Sequence, residues 1–240
     1  RLMMPLDPKQ THIVAEWKHA APLITCRFDP KSRFVFSSGE DYAIQRWELP
    51  TGQLTSWPAH ESWIRDFTFL GEGEVLVSAG CDDQIVFWPT AAEKPEPLKS
   101  IKAHEGWVRS VAASPDGKLL ASGGNDLLVK LWDSEGNPIS ELSGHESHVY
   151  CVRFHPSGEF LLSGDLHGQV HQWEVKTGKL LRTFDAKDLF SYNKGQQVDY
   201  GGVRDLAFSP DGKSLACCGL HNASNPLGAV NEPIVVVFDW

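Results

Sequence analysis

The sequence predicts an all-β fold built from repeated short units. A histidine precedes a tryptophan by 28 residues four times along the chain, at His19–Trp47, His60–Trp88, His104–Trp132 and His145–Trp173. Within each unit, short apolar runs alternate with tight turns such as the "SPDG" of residues 114–117, which is typical of β-strands. A four-stranded unit of about forty residues, repeated along a chain, indicates a β-propeller with one sheet per repeat.

The third repeat shows the strand pattern most clearly. We predict strands at "WVRSVAAS" (107–114), "KLLASGG" (118–124), "LLVKLWD" (127–133) and "ISELS" (139–143), each separated from the next by turn residues. The same order of strands and turns recurs in the other copies. The predicted repeats lie in a single propeller domain and cover residues 18–58, 59–102, 103–143, 144–185 and 186–240.

The fifth repeat is degenerate. Its "YGGVRDLAFSPDGKSLACCG" aligns without a gap with "EGWVRSVAASPDGKLLASGG" of the third repeat. Asp199 then replaces the histidine, Cys217 the serine and His221 the aspartate, while Phe238 takes the place of the tryptophan. This repeat ends after its third strand, and residues 11–17 are predicted to form an extra outer strand near the N-terminus.

Two forms of the propeller agree with five visible repeats. The N-terminal strand could complete the last blade and close a small ring, or the chain could be part of a larger propeller, for example one with seven blades. The sequence begins with Arg1 rather than Met and ends abruptly at Trp240, and both features favour the second form. In an unclosed array, the edge strands would be open to association.

The recurring His, Ser and Asp and the terminal Trp-Asp of "LVKLWD" resemble the WD-repeat (WD40-type) family of β-propellers, from about His12 to the end of the chain. The literal Trp-Asp pair occurs once, at Trp132-Asp133. The other repeats have Trp-Glu, Trp-Pro or Phe-Asp at this position.

The resemblance implies a buried chain of hydrogen bonds in each blade, from Asp to His, from His to Ser and from Ser to the indole N–H of Trp. Donors and acceptors match along such a chain. The predicted tetrads are His19/Ser37/Asp41/Trp47, His60/Ser78/Asp82/Trp88 and His104/Ser122/Asp126/Trp132, and the fourth repeat has His145, Ser163 and Trp173 with His167 in place of Asp.

A catalytic Ser-His-Asp triad is the rival interpretation of these residues. A triad is needed once per enzyme rather than once per forty residues, and no G-x-S-x-G motif surrounds these serines. We therefore predict no catalytic residues. His148, His167 and His171 in the fourth repeat lack a carboxylate at a matching spacing, so we predict no metal site and no cofactor.

The bulk composition limits the classes of partner. The formal net charge is −9, and no basic cluster stands out, so we predict that neither nucleic acid nor a membrane is a partner. The five cysteines form no C-x-x-C pair and sit mostly in apolar runs, which favours buried free thiols and a cytoplasmic location. No apolar stretch is long enough to span a membrane.

Candidate binding residues lie beside the start of each innermost strand. Alternation along the strand buries Ile64 and Val108 and turns their neighbours towards the mouth of the central channel. In related propellers these positions contact partners, and Trp, Tyr and Arg dominate binding hot spots. The candidates are Trp63, Arg65, Trp107, Arg109, His148, Tyr150 and Arg204, with the turn residues Glu40 and Asn125 nearby. Packing between blades is the alternative explanation of Trp63 and Trp107, since aromatic residues serve both cores and interfaces.

Two insertions in the fifth repeat add to this surface. They cover Ala186–Val198 and Asn222–Pro233, and both should open on the rim that carries the connections between blades, which is called the top face in this fold. Phe190 and Tyr192 of the first insertion are further candidates for partner contact. Drift of surface loops is the alternative explanation of both insertions.

The predicted function is a non-enzymatic scaffold that binds a protein or peptide on the top face. Two alternatives remain at this stage: a propeller enzyme with its site at the channel mouth, and a sensor domain of a larger signalling protein. The enzyme would need convergent carboxylates or histidines at the inner positions, where Trp, Arg and Tyr stand instead. The oligomeric state is not predicted.

Overall fold

A computed structural model describes residues 12–222 and 232–240, and confirms the all-β propeller architecture. Five antiparallel sheets follow one another along the chain as blades, and the first four have four strands each. In its described part, the fifth blade has three strands and is preceded by a separate two-stranded hairpin.

Within each blade, the strands pair in sequence order from the innermost to the outermost. The first blade consists of β1 (Leu23–Phe28), β2 (Phe34–Gly39), β3 (Ala43–Glu48) and β4 (Leu54–Pro58), and the second of β5 (Ile64–Leu70), β6 (Val75–Gly80), β7 (Gln84–Pro89) and β8 (Lys99–Lys102). The third consists of β9 (Val108–Ala113), β10 (Leu119–Gly124), β11 (Val129–Asp133) and β12 (Pro138–Leu142), and the fourth of β13 (Val149–Phe154), β14 (Phe160–Asp165), β15 (Gln169–Glu174) and β16 (Leu180–Asp185). The hairpin is formed by β17 (Phe190–Asn193) and β18 (Val198–Gly201), and the fifth blade by β19 (Asp205–Phe208), β20 (Ser214–His221) and β21 (Glu232–Asp239).

The turn between the first two strands of a blade is fixed by local hydrogen bonds. In the third blade, Ser114 Oγ donates to Asp116 Oδ1 at 2.6 Å and accepts from the backbone N–H of Leu119 at 2.9 Å. The fifth blade repeats both bonds in its Ser209–Ser214 turn. Gly117 closes the third-blade turn at a φ of +68°, which glycine adopts without steric cost. These turns set the register of the strands that follow.

Apolar side chains hold consecutive blades together, because a single sheet cannot bury both of its own faces. Four clusters of buried residues fill the four interfaces between neighbouring blades in the described chain. Between the second and third blades, Ile85 and Phe87 of one sheet share a cluster with Val111 and Trp132 of the next. The innermost strands β1, β5, β9, β13 and β19 lie side by side in that order and surround a central channel.

The apolar packing runs from the first blade to the fifth and does not close into a ring within residues 12–222 and 232–240. None of the four clusters joins the fifth blade to the first. On the outward face of β21, Val235 and Val237 are 62% and 64% exposed. Phe28 at the end of β1 is exposed as well.

The structure differs from the sequence prediction at the N-terminal segment. A strand was expected over residues 11–17, but residues 12–17 are irregular, and residue 11 lies outside the described chain. No described strand pairs with this segment, so its backbone lacks the ladder of hydrogen bonds that defines a strand. The segment is instead anchored by Trp17, whose ring stacks on that of Trp47 with centroids 5.5 Å apart.

The first insertion of the fifth repeat forms an ordered lobe. A 3₁₀ turn at Lys187–Leu189 leads into the β17–β18 hairpin, and Leu189 is buried in the cluster between the fourth and fifth blades. His221 Nδ1 at the end of β20 lies 2.8 Å from the carbonyl oxygen of Asp188. The second insertion, Asn222–Pro233, falls mostly outside the described residues.

The helical content of the described chain is limited to short turns. None of the helices in residues 12–222 and 232–240 has the length and apolar character needed to cross a membrane.

Candidate functional site

In the second and third blades, Asp, His, Ser and Trp side chains are joined by hydrogen bonds. In the third blade, His104 Nδ1 lies 2.7 Å from Asp126 Oδ1, and His104 Nε2 lies 2.8 Å from Ser122 Oγ. Trp132 Nε1 then donates to Ser122 Oγ at 3.0 Å. The second blade has the same bonds, at 2.9 Å for His60–Asp82, 2.7 Å for His60–Ser78 and 2.9 Å for Trp88–Ser78. A neutral imidazole protonated on Nδ1 satisfies every member of this chain.

In the second and third blades, the tetrad carboxylate is held in its charged form. Burial raises the pKa of Asp126, but the hydrogen bond from His104 and those from backbone N–H groups outweigh it, so the pKa lies below its ordinary value. The pKa of Asp82 is lowered in the same way by His60 against the effect of burial. A charged carboxylate can only accept hydrogen bonds, which is the role that the chain requires of it.

The fourth blade takes its carboxylate from a position other than the one that the alignment indicated. His167 was aligned with the aspartates, but Asp165 Oδ2 lies 2.9 Å from His145 Nδ1 and takes their place. His145 Nε2 is 2.6 Å from Ser163 Oγ, which accepts from Trp173 Nε1 at 2.8 Å. The four-membered chain is therefore complete in this blade.

The position of Asp165 explains the substitution. It follows the tetrad serine by two residues, where the third blade has Gly124. A Cβ atom on Gly124 would lie 2.5 Å from the ring of His104, so this position points directly at the histidine. In the fourth blade, the side chain of Asp165 at this position contacts the ring of His145. His167 takes no part in the tetrad, and its Nε2 lies 3.4 Å from Asp199 Oδ2.

The first blade inserts an amide into the chain. His19 Nε2 lies 2.7 Å from Asp41 Oδ2, and Trp47 Nε1 donates to Ser37 Oγ at 3.1 Å. Gln45 stands between the two pairs, with its Nε2 donating to Asp41 Oδ2 at 3.4 Å and its Oε1 accepting from Ser37 Oγ at 3.5 Å. The direct bond from histidine to serine that the resemblance implied is thus replaced by a bridge through Gln45.

A second histidine stacks on the tetrad histidine of the fourth blade. The rings of His171 and His145 are parallel within 14°, with centroids 3.9 Å apart. His171 is buried, and its Nδ1 has no hydrogen-bond partner among the described residues. Burial, followed by the charge of His145, lowers the pKa of His171 to about 4. His171 is consequently neutral at physiological pH.

The tetrad serines have no contact with solvent that a nucleophile would need. All four side chains are buried inside the sheets; they are those of Ser37, Ser78, Ser122 and Ser163. A catalytic serine must touch its substrate. The geometry therefore assigns these residues to holding the strands of each blade together.

Four blades bring side chains together at the mouth of the channel. Each of these side chains directly follows a fully buried apolar residue on or beside an innermost strand, the buried residues being Ile64, Val108, Val149 and Val203. The residues that follow them are Arg65, Arg109, Tyr150 and Arg204. Together with Trp107, which contacts Arg109, they are called the mouth cluster below.

Cation–π contacts connect the mouth cluster across three blades. The guanidinium carbon of Arg109 lies 5.1 Å from the ring centroid of Trp107 and 4.2 Å from that of Tyr150. On the other side of Tyr150, the guanidinium carbon of Arg204 lies 4.7 Å from the same centroid. Arg109 Nε also donates to Asn125 Oδ1, which holds the guanidinium in place. Such contacts contribute about 0.5–1 kcal/mol each at partly exposed sites.

Below the mouth cluster, an ion-pair network crosses the channel. Asp66 Oδ1 accepts from Arg27 Nη2 at 2.9 Å, and its Oδ2 accepts from Ser110 Oγ at 2.8 Å. Arg153 lies 3.5 Å from the same Asp66 oxygen and donates to Asp205 Oδ1 at 2.8 Å. A cavity of about 220 Å³ is lined by this network and by Arg65, Arg109, Tyr150 and Arg204 of the mouth cluster.

The sequence did not point to this network. Asp66 and Asp205 follow mouth arginines in "IRD" (64–66) and "VRD" (203–205), so the recurrent Arg-Asp pair was a usable signal. Arg153 had no such signal, because its role depends on blades that lie far apart in the chain.

The remaining predicted binding residues are placed around the cavity rather than in it. The backbone carbonyls of Trp63, Trp107 and His148 accept hydrogen bonds from the second-to-third-strand turns of their blades. Trp63 and Trp107 are 38% and 39% exposed, so packing between blades does not bury either side chain. Glu40, Phe190 and Tyr192 do not line the cavity, and Phe190 packs against His167 instead, with ring centroids 4.9 Å apart.

Comparison with known families agrees with the blade geometry. The family model described as WD domain, G-beta repeat matches residues 51–89, 95–133, 136–174 and 193–222, which is more than half of the chain. The chain belongs to the WD40 repeat family. WD40 propellers are generally protein-interaction scaffolds rather than enzymes.

Individual relatives extend the same comparison. This WD40 chain is 32% identical to apoptotic protease-activating factor 1 of Rattus norvegicus over 194 residues, covering 80% of this chain and 15% of that protein. It is 28% identical over 206 residues to the Homo sapiens protein of the same name, covering 85% of this chain and 16% of that protein. Mitotic checkpoint protein BUB3.3 of Arabidopsis thaliana is 29% identical over 84 residues, 35% of this chain and 26% of that protein. The chain thus spans only a small part of the two longer relatives.

The tetrad hydrogen bond to tryptophan can be tested by a matched pair of substitutions. Trp132→Phe removes the donor to Ser122 and should lower the free energy of unfolding in urea by about 1–2 kcal/mol more than the control. The control is Trp57→Phe, because Trp57 is 7% exposed against 6% for Trp132 but its Nε1 has no partner in the described chain. Equal losses in the two variants would show that the hydrogen bond adds nothing.

The buried histidine should make stability depend on pH. Since the pKa of His171 is lowered to about 4 in the folded chain, its contribution to stability is complete above about pH 6.5 and is lost as the pH falls towards 4. His171→Gln places the residue that the first blade has at the equivalent position, Gln45, and should make urea unfolding less dependent on pH in this range. An unchanged slope in His171→Gln would contradict the assignment.

Proposed function

We propose that this chain is a non-enzymatic scaffold that binds a protein or peptide partner on the top face of its propeller. The observation that carries the proposal is the mouth cluster, in which Arg65, Trp107, Arg109, Tyr150 and Arg204 from four blades converge at one opening. Arginine, tyrosine and tryptophan are the residue types that dominate the binding energy of protein interfaces.

Contacts within the protein hold most side chains of the mouth cluster in place. Its side chains stand on or beside innermost strands whose neighbouring apolar residues are fully buried, and Asn125 and Tyr150 restrain Arg109 on two sides. Binding a partner here would therefore immobilise few additional rotamers, which reduces the entropic cost of association.

The channel chemistry favours binding over catalysis. Its two lining carboxylates, Asp66 and Asp205, are already paired with Arg27 and Arg153. A general acid or base requires access to the reacting group and a pKa suited to proton transfer. Both carboxylates already accept hydrogen bonds from guanidinium groups, so fewer of their lone pairs are free to reach a reacting group.

A reducing, cytoplasmic setting belongs to the same proposal. All five cysteines carry free thiols, although Cys217 and Cys218 are adjacent, and Cys81, Cys151 and Cys217 are buried. The relatives include a protein named as a protease-activating factor and one named as a checkpoint protein. Both names denote regulatory proteins, and from them we carry over only a role in interaction.

Affinity purification with two double variants tests the proposal. Wild-type chain and Trp107→Ala/Arg109→Ala are used as baits in a lysate of the expressing cells, and retained proteins are quantified by mass spectrometry. We expect the wild type to retain at least one protein whose retained amount falls about tenfold or more with the mouth variant. A loss of this size is typical when residues that dominate an interface are replaced by alanine.

The control bait is Ile139→Ala/Arg182→Ala, which removes an exposed apolar residue and an arginine from the outer strands β12 and β16. It should retain the same proteins as the wild type. Circular dichroism and urea unfolding establish that all three baits are folded. If the mouth variant retains every wild-type partner, or if the outer-strand variant loses them instead, the top-face proposal is wrong.

A further inference from the structure

The charges on the wall of the mouth cavity do not balance. The cavity is lined by five arginines and two aspartates, the arginines being Arg27, Arg65, Arg109, Arg153 and Arg204. Asp66 and Asp205 pair with Arg27 and Arg153 in the lower part of the channel. The upper part is left with three cations and no carboxylate.

None of the three upper arginines forms an ion pair within the described chain. The arginine ion pairs of residues 12–222 and 232–240 involve Arg27, Arg33 and Arg153. Arg109 and Arg204 contact the ring of Tyr150 and so flank a single aromatic side chain. Burial lowers the pKa of Arg109, and the nearby charges of Arg65 and Arg204 lower it further, so the three cations repel one another.

This concentration of positive charge stands out in an acidic protein. The formal net charge of the chain is −9, yet the mouth cavity carries a local excess of arginine. Like charges gathered without a counter-charge destabilise the folded state by repulsion. An anionic guest would remove the repulsion and supply acceptors for the guanidinium donors.

We propose that the upper arginines, Arg65, Arg109 and Arg204, bind the carboxylates of an acidic segment of a protein partner. The proposal rests on the top-face binding proposed above and specifies the chemistry of the partner. The aspartate or glutamate side chains of the segment enter the cavity, where they receive charge-assisted hydrogen bonds from the guanidinium groups.

The dimensions and surroundings of the site favour a peptide over a polyanion. A cavity of about 220 Å³ accommodates a few side-chain groups rather than a helix of nucleic acid. A long polyanion would extend beyond the mouth and would be repelled there by the net negative charge of the protein, which is −9. Trp63 and Trp107 are exposed beside the arginines and offer apolar contacts to the residues that flank the acidic groups.

Binding of defined peptide pools to the immobilised full chain tests this chemistry. One pool has a central Glu-Ala-Glu, flanked on both sides by randomised uncharged residues, and the matched pools have Gln-Ala-Gln or Lys-Ala-Lys at the centre. We expect retention of the Glu pool to exceed that of the Gln pool by about tenfold or more. Raising the salt concentration from about 50 mM to about 500 mM should reduce this preference.

Two arginine variants locate the site. Arg109→Gln should abolish the preference for the Glu pool, whereas Arg182→Gln, which removes the same charge from the outer strand β16, should keep it. Equal retention of the Glu and Gln pools by the wild type, or an equal lack of retention, overturns the acidic-segment proposal. So does a preference for Glu that survives in Arg109→Gln.

The proposed function fails on a different result. If the Glu preference is absent while Trp107→Ala/Arg109→Ala still loses protein partners, top-face binding stands and the partner is not acidic at this site. If the purification experiment also shows no dependence on the mouth cluster, both proposals are wrong.

Discussion

The buried chain of hydrogen bonds from aspartate through histidine and serine to tryptophan is the constraint on which each blade depends. Burying these polar groups is favourable only when every donor and acceptor is satisfied. In the third blade, the chain ties the residue before the first strand, His104, to the second strand at Ser122 and the third strand at Trp132. It also ties His104 to the turn that contains Asp126. One network thereby fixes the relative positions of three strands and a turn.

The position of the proposed binding surface follows from this arrangement. Because the tetrad histidine is held at the start of each blade, the residues shortly after it enter the innermost strand at the same height in successive blades. Arg65, Arg109 and Tyr150 stand at such positions, five residues after His60, His104 and His145. The contacts that Tyr150 makes with Arg109 and Arg204 are thus long-range in sequence, although the position of each residue is set by local geometry within its own blade.

Much of the fold could be predicted from the sequence, because the constraint recurs at a fixed spacing. The spacing of 28 positions from His104 to Trp132 reflects the strand and turn lengths that the hydrogen bonds require. The spacing could not show which carboxylate closes the fourth tetrad. Asp165 lies two residues before the aligned His167, and only the direction of its side chain in space makes it the partner of His145.

The candidate site was predictable only in part, for a related reason. Strand alternation indicated that Arg109 and Tyr150 face the channel mouth, since alternation is a local property. The pairing of Asp66 with Arg153 depends on how the second and fourth blades are placed around the axis, and no sequence pattern encodes that distance. The irregular N-terminal segment shows the same limit: it carries strand-forming residues, but a strand also needs a partner.

In this account, the tetrads hold the strands of each blade together, and the mouth cluster is the proposed binding site for the partner. The most direct test is to measure the free energy of unfolding and the retention of a wild-type partner in two single variants. Ser122→Ala should lower the free energy of unfolding by about 1–3 kcal/mol, because Trp132 loses its acceptor and His104 its donor inside the blade. The folded fraction of this variant should still retain the partner. Arg65→Gln should keep its stability within about 0.5 kcal/mol and retain less of the partner. Loss of binding by folded Ser122→Ala, with full binding by Arg65→Gln, would contradict this division of roles.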